Sequence, residues 1–82
     1  MVTVKLHSLL RRAAGEAQFS TSAGSVKEAL KEVRKRYGPE VERYLKDSIV
    51  MVNGRNAADL KGGRTRLQHG DEVAVYPRLA GG

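Results

Sequence analysis

Residues 25–39 read SVKEALKEVRKRYGP, and this stretch predicts the main helix of the chain. Ser25 and Glu28 form a capping box, a pair of side chains that satisfies free backbone N–H groups in the first turn. Gly38 and Pro39 end the helix, because proline cannot continue it. Apolar residues recur at helical spacing on one face: Val26, Ala29, Leu30, Val33 and Tyr37. We expect a helix with a single apolar face to cover a sheet.

Four strands are predicted around this helix. Residues 2–7 alternate apolar and polar side chains, which indicates a strand with one buried face. Residues 16–21 are expected to pair antiparallel with that strand. Residues 49–52 are continuously apolar, which predicts a strand buried on both faces or nearly so. Residues 72–76 predict the last strand, with Tyr76 pointing outward.

The connecting segments are predicted from turn and helix-end signals. Residues 9–14 are expected to cross over to a turn at Gly15, and residues 39–45 to form one or two helical turns. Asn53-Gly54 is typical of a type I′ hairpin, and a chance Asn-Gly pair in a loop is the alternative. Asp71 is expected to hydrogen-bond within its own turn.

The order strand, strand, helix, strand, irregular segment, strand predicts an α+β fold of the β-grasp, or ubiquitin-like, type. In this fold a mixed sheet of four to five strands is covered by one main helix. We assign residues 1–76 to the β-grasp domain and residues 77–82 to a flexible C-terminal tail. The predicted core consists of Val2, Val4, Leu6, Phe19, Leu30, Val33, Val50, Val52, Val73 and Val75.

Composition narrows the function classes. The chain has 82 residues and no cysteine, which excludes disulfides, cysteine-rich zinc sites and cysteine nucleophiles. Neither a membrane span nor a signal peptide is evident, so we expect a cytoplasmic protein. The net charge of +6 is first of all typical of a solvated surface, and an acidic protein partner is the second interpretation. Nucleic acid is a weaker prediction, because the basic residues are dispersed and few aromatic residues could stack on bases.

No catalytic constellation is evident. His7 is expected at an outward strand position and His69 in a turn, so neither predicts a metal site. Asp71 and Glu72 are adjacent in sequence, but successive strand residues point to opposite faces and cannot act as one acid–base pair. We therefore predict a non-catalytic body and no metal.

The C-terminal stretch is Pro77-Arg78-Leu79-Ala80-Gly81-Gly82. Glycine has no Cβ, so its backbone can approach another protein very closely. The sequence therefore predicts that Gly82 presents its α-carboxylate in the cleft of a partner.

Three further motifs carry a resemblance to a known family. They are Leu10-Arg11-Arg12-Ala13-Ala14-Gly15, Val52-Asn53-Gly54 and Leu67-Gln68-His69-Gly70-Asp71-Glu72-Val73. Together with the Gly-Gly end, they resemble the ubiquitin-like sulfur carriers, which include the small subunit of molybdopterin synthase. Two positions depart from the pattern of that subunit: Arg78 replaces a proline, and His7 replaces an aromatic residue.

The resemblance implies a carrier rather than an enzyme. An adenylyltransferase of the ubiquitin-activating type would use ATP and Mg²⁺ to adenylate Gly82, so the carrier itself would bind no cofactor. A sulfurtransferase or other persulfide donor would then leave a thiocarboxylate. A sulfur-accepting synthase subunit would receive this sulfur, with molybdopterin biosynthesis as the main expectation.

Partner binding is predicted next to the tail. We expect Tyr76, Arg78, His7 and Lys5 to form the docking face, and Leu79, Ala80 and Gly81 to lead Gly82 into the cleft of the partner.

Several alternatives stay open. The same chemistry could serve cysteine biosynthesis, thiamine biosynthesis or tRNA thiolation, or the chain could be a ubiquitin-like protein modifier. A different class of function is a basic β-grasp adaptor with no chemistry at its tail.

Overall fold

The computed structural model describes residues 1–78, which contain five strands, three α-helices and three 3-10 helices. In chain order the α-helices and strands are β1 (Val2–Leu6), α1 (Ser8–Ala14), β2 (Gln18–Thr21), α2 (Val26–Tyr37), α3 (Glu42–Leu45), β3 (Ile49–Val52), β4 (Arg55–Asn56) and β5 (Glu72–Tyr76). The 3-10 helices are Pro39–Val41, Ala57–Asp59 and Gly62–Arg64.

The strands form one mixed sheet in the order β2-β1-β5-β3-β4. β1 and β5 are parallel at its centre, and the other pairs are antiparallel. The first antiparallel pair, β1 and β2, is joined by α1, and α2 then crosses over one face of the sheet. A second antiparallel pair, β3 and β4, follows, and β5 completes the sheet beside β1. This topology confirms the predicted β-grasp fold.

The longest helix, α2, has the predicted ends. The Glu28 N–H donates to Ser25 Oγ at 3.2 Å, and the Glu28 carboxylate accepts a hydrogen bond from the Gly24 N–H at 2.7 Å. Gly38 stops the helix at φ 75°, and its N–H donates to the Arg34 carbonyl at 2.9 Å. A positive φ favours glycine because residues with a side chain are strained in this backbone conformation.

Helix α1 was not predicted. Residues 9–14 lie in a seven-residue helix, and Leu10 is fully buried. Its start lacks the usual signals, since His7 makes no side-chain cap and Ser8 has φ 52°. Only the end of this segment was predicted, as a turn at Gly15. This glycine adopts φ 78°, and its N–H donates to the Arg11 carbonyl at 2.9 Å.

β3 is fully buried on one face only, where the prediction was burial on both faces or nearly so. Val50 and Val52 lie in the core, whereas Ile49 and Met51 are only half-buried on the other face. β2 is also shorter than predicted, because it begins at Gln18.

The core lies between the sheet and the helices. Its centre includes nine of the ten predicted residues, and Leu30 is half-buried at its margin. The short helices add Leu10, Val41 and Leu45 to the core, and the inward direction of Val41 and Leu45 agrees with the helical turns predicted over residues 39–45.

The Asn53-Gly54 turn joins β3 to β4 with φ of 50° and 84°, positive at both positions, as a type I′ hairpin requires. Asn53 Nδ2 donates to Asp71 Oδ1 at 3.0 Å, and the Glu72 N–H donates to Asn53 Oδ1 at 2.9 Å. The Gln68 N–H donates to Asp71 Oδ2 at 2.7 Å. The hydrogen bond from the Gln68 N–H is the larger cause that lowers the pKa of Asp71, and the hydrogen bond from the Asn53 side chain is the second. The Asn53-Gly54 turn and the Asp71-Glu72 pair are far apart in sequence, and the hydrogen bonds between them hold the hairpin against the start of β5.

Candidate functional site

Within residues 1–78, no helix covers the sheet face opposite the core. Alternate residues of β1, β5 and β3 point to this face, which we call the open face. Strand register sets its rows: Thr3 beside Glu72, Lys5 and Met51 on either side of Ala74, and Ile49 beside Tyr76. The two faces of the sheet thus carry different chemistry.

A ring stack lies at one end of the open face. The His7 and Tyr76 rings are parallel within 7°, with their centroids 4.2 Å apart. Parallel pairing of Leu6 with Val75 brings the next residues of both strands together, and the His7 N–H donates to the Val75 carbonyl at 3.1 Å. Tyr76 keeps 39% of its surface exposed. The stack therefore presents a flat, partly exposed aromatic surface at this end of the open face.

An ion pair lies beside the stack. Lys5 Nζ is 3.1 Å from Glu72 Oε1, and both side chains are substantially exposed. An exposed pair of this kind contributes little to stability. Ala74 lies between Lys5 and Met51 and is 8% exposed. The short side chain of Ala74 leaves a shallow depression between the longer side chains of Lys5 and Met51.

The sequence prediction missed the apolar part of this face. Ile49 and Met51 lie next to Tyr76 and Ala74 in the antiparallel β3–β5 ladder. The prediction lacked the register of β3 against β5. Val50 and Val52 align with the inward Val75 and Val73, so Ile49 and Met51 must face outward.

The structure brings three of the four predicted docking residues, Lys5, His7 and Tyr76, onto one face. Arg78 is exposed two residues after β5 ends, and Pro77 between them is buried. Leu79, Ala80, Gly81 and Gly82 lie outside the described residues. The roles assigned to these residues stay predictions.

The other titratable groups do not converge on this face. His69 Nδ1 contacts the α-amino group of Met1, which lies at the opposite end of β1 from His7. Burial, followed by the hydrogen bond to Glu16, raises the pKa of Tyr37, which packs at the helix side. Within residues 1–78, no group of three histidine or carboxylate side chains could hold a metal ion. The same residues include no helix long and apolar enough to cross a membrane.

The match to a family model decides the family: the ThiS family model covers residues 4–82. The chain belongs to the ThiS family. No curated protein sequence matches it. Proteins of the ThiS family are ubiquitin-like sulfur carriers or modifiers and are not themselves catalysts.

Solved structures agree with this assignment. The small archaeal modifier protein 1 of Methanosarcina acetivorans is 28% identical, with a TM-score of 0.87, and the match covers 99% of this chain and 95% of that one. A chain of the Amycolatopsis orientalis BexX/CysO complex is 26% identical, with a TM-score of 0.82 and full coverage of both chains.

A third structure shares the fold. A chain of the complex between subunits 1 and 2 of the molybdopterin-converting factor of Helicobacter pylori is 20% identical, with a TM-score of 0.69 and coverage of 99% and 97%. Two of these three structures are complexes, one of BexX and CysO and one of subunits 1 and 2 of the molybdopterin-converting factor.

Proposed function

We propose that this ThiS-family protein carries sulfur as a thiocarboxylate on Gly82. The observation that carries the proposal is the family match, which runs through the Gly81-Gly82 pair. β5 runs at the centre of the sheet and ends at Tyr76, so a rigid body precedes the tail segment. The open face ends at the same residue, which would let one partner grip the face and receive the tail.

The chemistry requires activation, because a carboxylate repels nucleophiles. An adenylyltransferase of the ubiquitin-activating type, using ATP and Mg²⁺, converts the Gly82 carboxylate to an acyl-adenylate and releases pyrophosphate. Sulfide displaces AMP directly to give the thiocarboxylate. A persulfide donor instead gives an acyl disulfide, which a second thiol must cleave to release the same product. The nucleophile and the reductant are supplied by partners.

The acceptor we propose is the molybdopterin precursor, held by a synthase subunit that docks on the open face. His7 departs in residue type from the aromatic residue of the resembling carriers, and its imidazole stacks on Tyr76, so this end of the open face still presents two flat rings. The fold likeness to the molybdopterin-converting factor chain is compatible with this acceptor.

A second candidate is protein modification through Gly82. The likeness to the small archaeal modifier protein 1 of Methanosarcina acetivorans favours it. Both candidates need the same adenylate and differ only in the nucleophile that attacks the activated glycine.

Activation is tested with the protein, a ubiquitin-activating-type adenylyltransferase, ATP and Mg²⁺. We expect ATP–pyrophosphate exchange and, after addition of sulfide, an intact mass increased by about 16 Da, the exchange of oxygen for sulfur in an activated acyl group. Appending one alanine after Gly82 should abolish both signals. An extended protein that still gains sulfur would sink the proposal.

The two candidates are separated after activation. Transfer of sulfur to a molybdopterin-synthase-type acceptor supports the carrier, whereas covalent lysine conjugates that survive thiol treatment support the modifier. A protein that binds its partners equally well without Gly82, and shows no exchange, would support the adaptor alternative.

A further inference from the structure

The fold gathers basic residues between the sheet and the start of α2. Residues 60–67 read LKGGRTRL and contain three cations and no carboxylate. We call them the basic segment. Its cations are all exposed: Lys61, Arg64 and Arg66. The segment packs against the first turn of α2, where a Cβ on Gly63 would lie 3.5 Å from the Cβ of Lys27. Lys27 is exposed too, so the fold places a fourth cation beside the three.

Hydrogen bonds hold the basic segment in place. The Lys61 N–H donates to Thr65 Oγ1 at 3.0 Å, which closes the loop between these two residues. The Val26 N–H donates to the Thr65 carbonyl at 3.0 Å, and the Leu67 N–H donates to the Gly24 carbonyl at 2.9 Å. The segment is thus fastened to the start of α2, and its cations extend from a fixed backbone.

A pocket of about 350 Å³ lies within the basic segment. Its lining residues are Leu60, Lys61, Thr65 and Arg66. Leu60 is half-buried against the core and gives the pocket an apolar wall, which the aliphatic stems of Lys61 and Arg66 extend. Among residues 1–78, no carboxylate lines this pocket. The pocket therefore combines apolar surface with two cationic groups at its rim.

The four cations are not neutralised by ion pairs within residues 1–78. The ion pairs there are Lys5–Glu72, Arg34–Glu42 and Arg36–Glu16. Two carboxylates lie close in sequence to the cations, Glu28 and Asp59. The Glu28 carboxylate already accepts a hydrogen bond from the Gly24 N–H at 2.7 Å. Four cations against two carboxylates leave an excess of positive charge, of the same sign as the total of +6.

The basic segment lies near the end of the sheet where β1 begins. The Gly70 N–H donates to the Met1 carbonyl at 2.9 Å, so the chain after the segment runs to the start of β1. The ring stack of His7 and Tyr76 follows the other end of β1, where β5 also ends. A partner bound to the pocket therefore leaves the stack and the end of β5 free.

We propose that the basic segment and Lys27 bind an acidic segment of a partner protein that carries one large apolar side chain between carboxylates. The apolar side chain enters the pocket beside Leu60, and the carboxylates on either side of it pair with Lys61 and Arg66. Burial of the apolar side chain supplies affinity, and the charges select the sequence around it. This contact does not depend on the chemistry of Gly82. It holds the carrier while another protein engages the open face.

Nucleic acid fits this site less well. The basic segment contains no aromatic residue on which a base could stack. A phosphate backbone could pair with the cations, but it carries no apolar group to fill the pocket beside Leu60.

A second copy of this chain also fits less well. In this chain a carboxylate precedes and follows an apolar residue at Glu40-Val41-Glu42. Val41 has no exposed surface, because it lies in the core. Its side chain is therefore not available to the pocket of another copy.

The test uses the whole protein labelled with ¹⁵N and a capped peptide of sequence Glu-Glu-Leu-Glu-Glu. We expect the peptide to shift the backbone amide signals of residues 60–67 and of Lys27. Two control peptides isolate the causes: one replaces the leucine with glycine, and one replaces every glutamate with glutamine. Each control should bind about fivefold more weakly or worse, because one loses the buried apolar group and the other loses the ion pairs.

Variants of the protein locate the charges. The double variant Lys61→Glu/Arg66→Glu should weaken peptide binding by about fivefold or more, since two ion pairs are lost and their charges reversed. The matched control is Lys35→Glu/Lys46→Glu, which changes the total charge equally at exposed positions outside the pocket. At physiological salt, charges more than about 8 Å apart are largely screened, so the control should leave the affinity within about twofold.

Four outcomes would overturn the proposal. Equal affinity of the glycine peptide would show that the pocket takes no side chain, and equal losses in the two double variants would show that total charge alone attracts the peptide. Tighter binding of a single-stranded RNA at the basic segment would indicate a nucleic-acid site. Concentration-dependent shifts of the same residues without peptide would indicate self-association. Shifts confined to the open face, or none at millimolar peptide, would also exclude this site.

Discussion

The two faces of the sheet differ in burial and in the chemistry of their side chains. The helix-covered face is filled by aliphatic side chains such as Val4, Val73 and Val75, all with no exposed surface. The open face carries a ring stack, an ion pair and Met51 on the same strands. One face therefore provides the stability of the fold, and the other is free to provide recognition. Substitutions on the two faces should affect different measurements.

The largest expected effect lies on the covered side. Leu10→Ala removes a fully buried side chain from α1 and should cost about 2–5 kcal/mol of unfolding free energy, because part of the cavity persists. Urea unfolding followed by circular dichroism measures it.

Leu9→Ala is the matched control for that variant. Leu9 is the preceding residue of the same helix and is 38% exposed, so its truncation should cost much less. Equal losses for the two variants would show that α1 does not belong to the core. Leu30→Ala should fall between them, since Leu30 is half-buried.

The second effect lies on the open face. Tyr76→Ala removes the exposed ring of the stack and should weaken binding to the adenylyltransferase by about 1 kcal/mol or more. The unfolding free energy should change less than in Leu10→Ala. Calorimetric titration measures the affinity.

Tyr76→Phe keeps the ring and removes only the hydroxyl group. It should bind nearly as well as the wild type if stacking and ring area matter. Full affinity of Tyr76→Ala would exclude this face as the docking site for that enzyme.

The two faces were also unequally predictable from the sequence. Ser25, Glu28 and Gly38 mark the ends of α2 by local rules, so that helix could be predicted from one stretch. Helix α1 has no such signal at its start and exists because Leu10 is buried by distant elements.

The open face depends on register. The outward direction of Tyr76 followed from strand alternation alone, but its stacking on His7 requires the parallel β1–β5 pairing. That pairing joins residues from opposite ends of the chain, and no local pattern specifies it. Ile49 and Met51 were misplaced for the same reason.

A smaller effect is expected from the ion pair on the open face. Lys5→Ala breaks the contact with Glu72 and should change the unfolding free energy by less than about 1 kcal/mol, since both groups are exposed to solvent. If the partner surface is acidic, the association rate should fall, and the difference from wild type should vanish at high salt.

Lys61→Ala serves as the control, because this exposed lysine lies near the 3-10 helix Gly62–Arg64 and away from the open face. An equal loss of association rate in both variants would indicate that total charge alone steers the partner.

The smallest expected effect concerns Asp71. Its carboxylate holds the turn before β5, where it accepts hydrogen bonds from the Gln68 N–H and the Asn53 side chain. Hydrogen bonds from the Gln68 N–H and from Asn53 lower its pKa below the ordinary value of 3.8. A carboxyl group with a lowered folded-state pKa stabilises the fold above its unfolded-state pKa and loses that contribution as the pH falls through the folded-state value. The unfolding free energy of wild type should therefore exceed that of Asp71→Asn by a constant amount from pH 7 to about pH 5, and the difference should shrink below about pH 4.

Asn53→Ala sharpens this last measurement. It removes the side-chain donor to Asp71 and leaves the backbone donor of Gln68 in place. Because the Gln68 hydrogen bond is the larger cause of the lowered pKa, the pH dependence should weaken in the Asn53→Ala background without disappearing. A difference between wild type and Asp71→Asn that stays the same from pH 7 to pH 3 would mean that the ionised carboxylate does not hold this turn. The hairpin would then depend on the φ values of Asn53 and Gly54 and on the hydrogen bonds between Asn53 and Glu72.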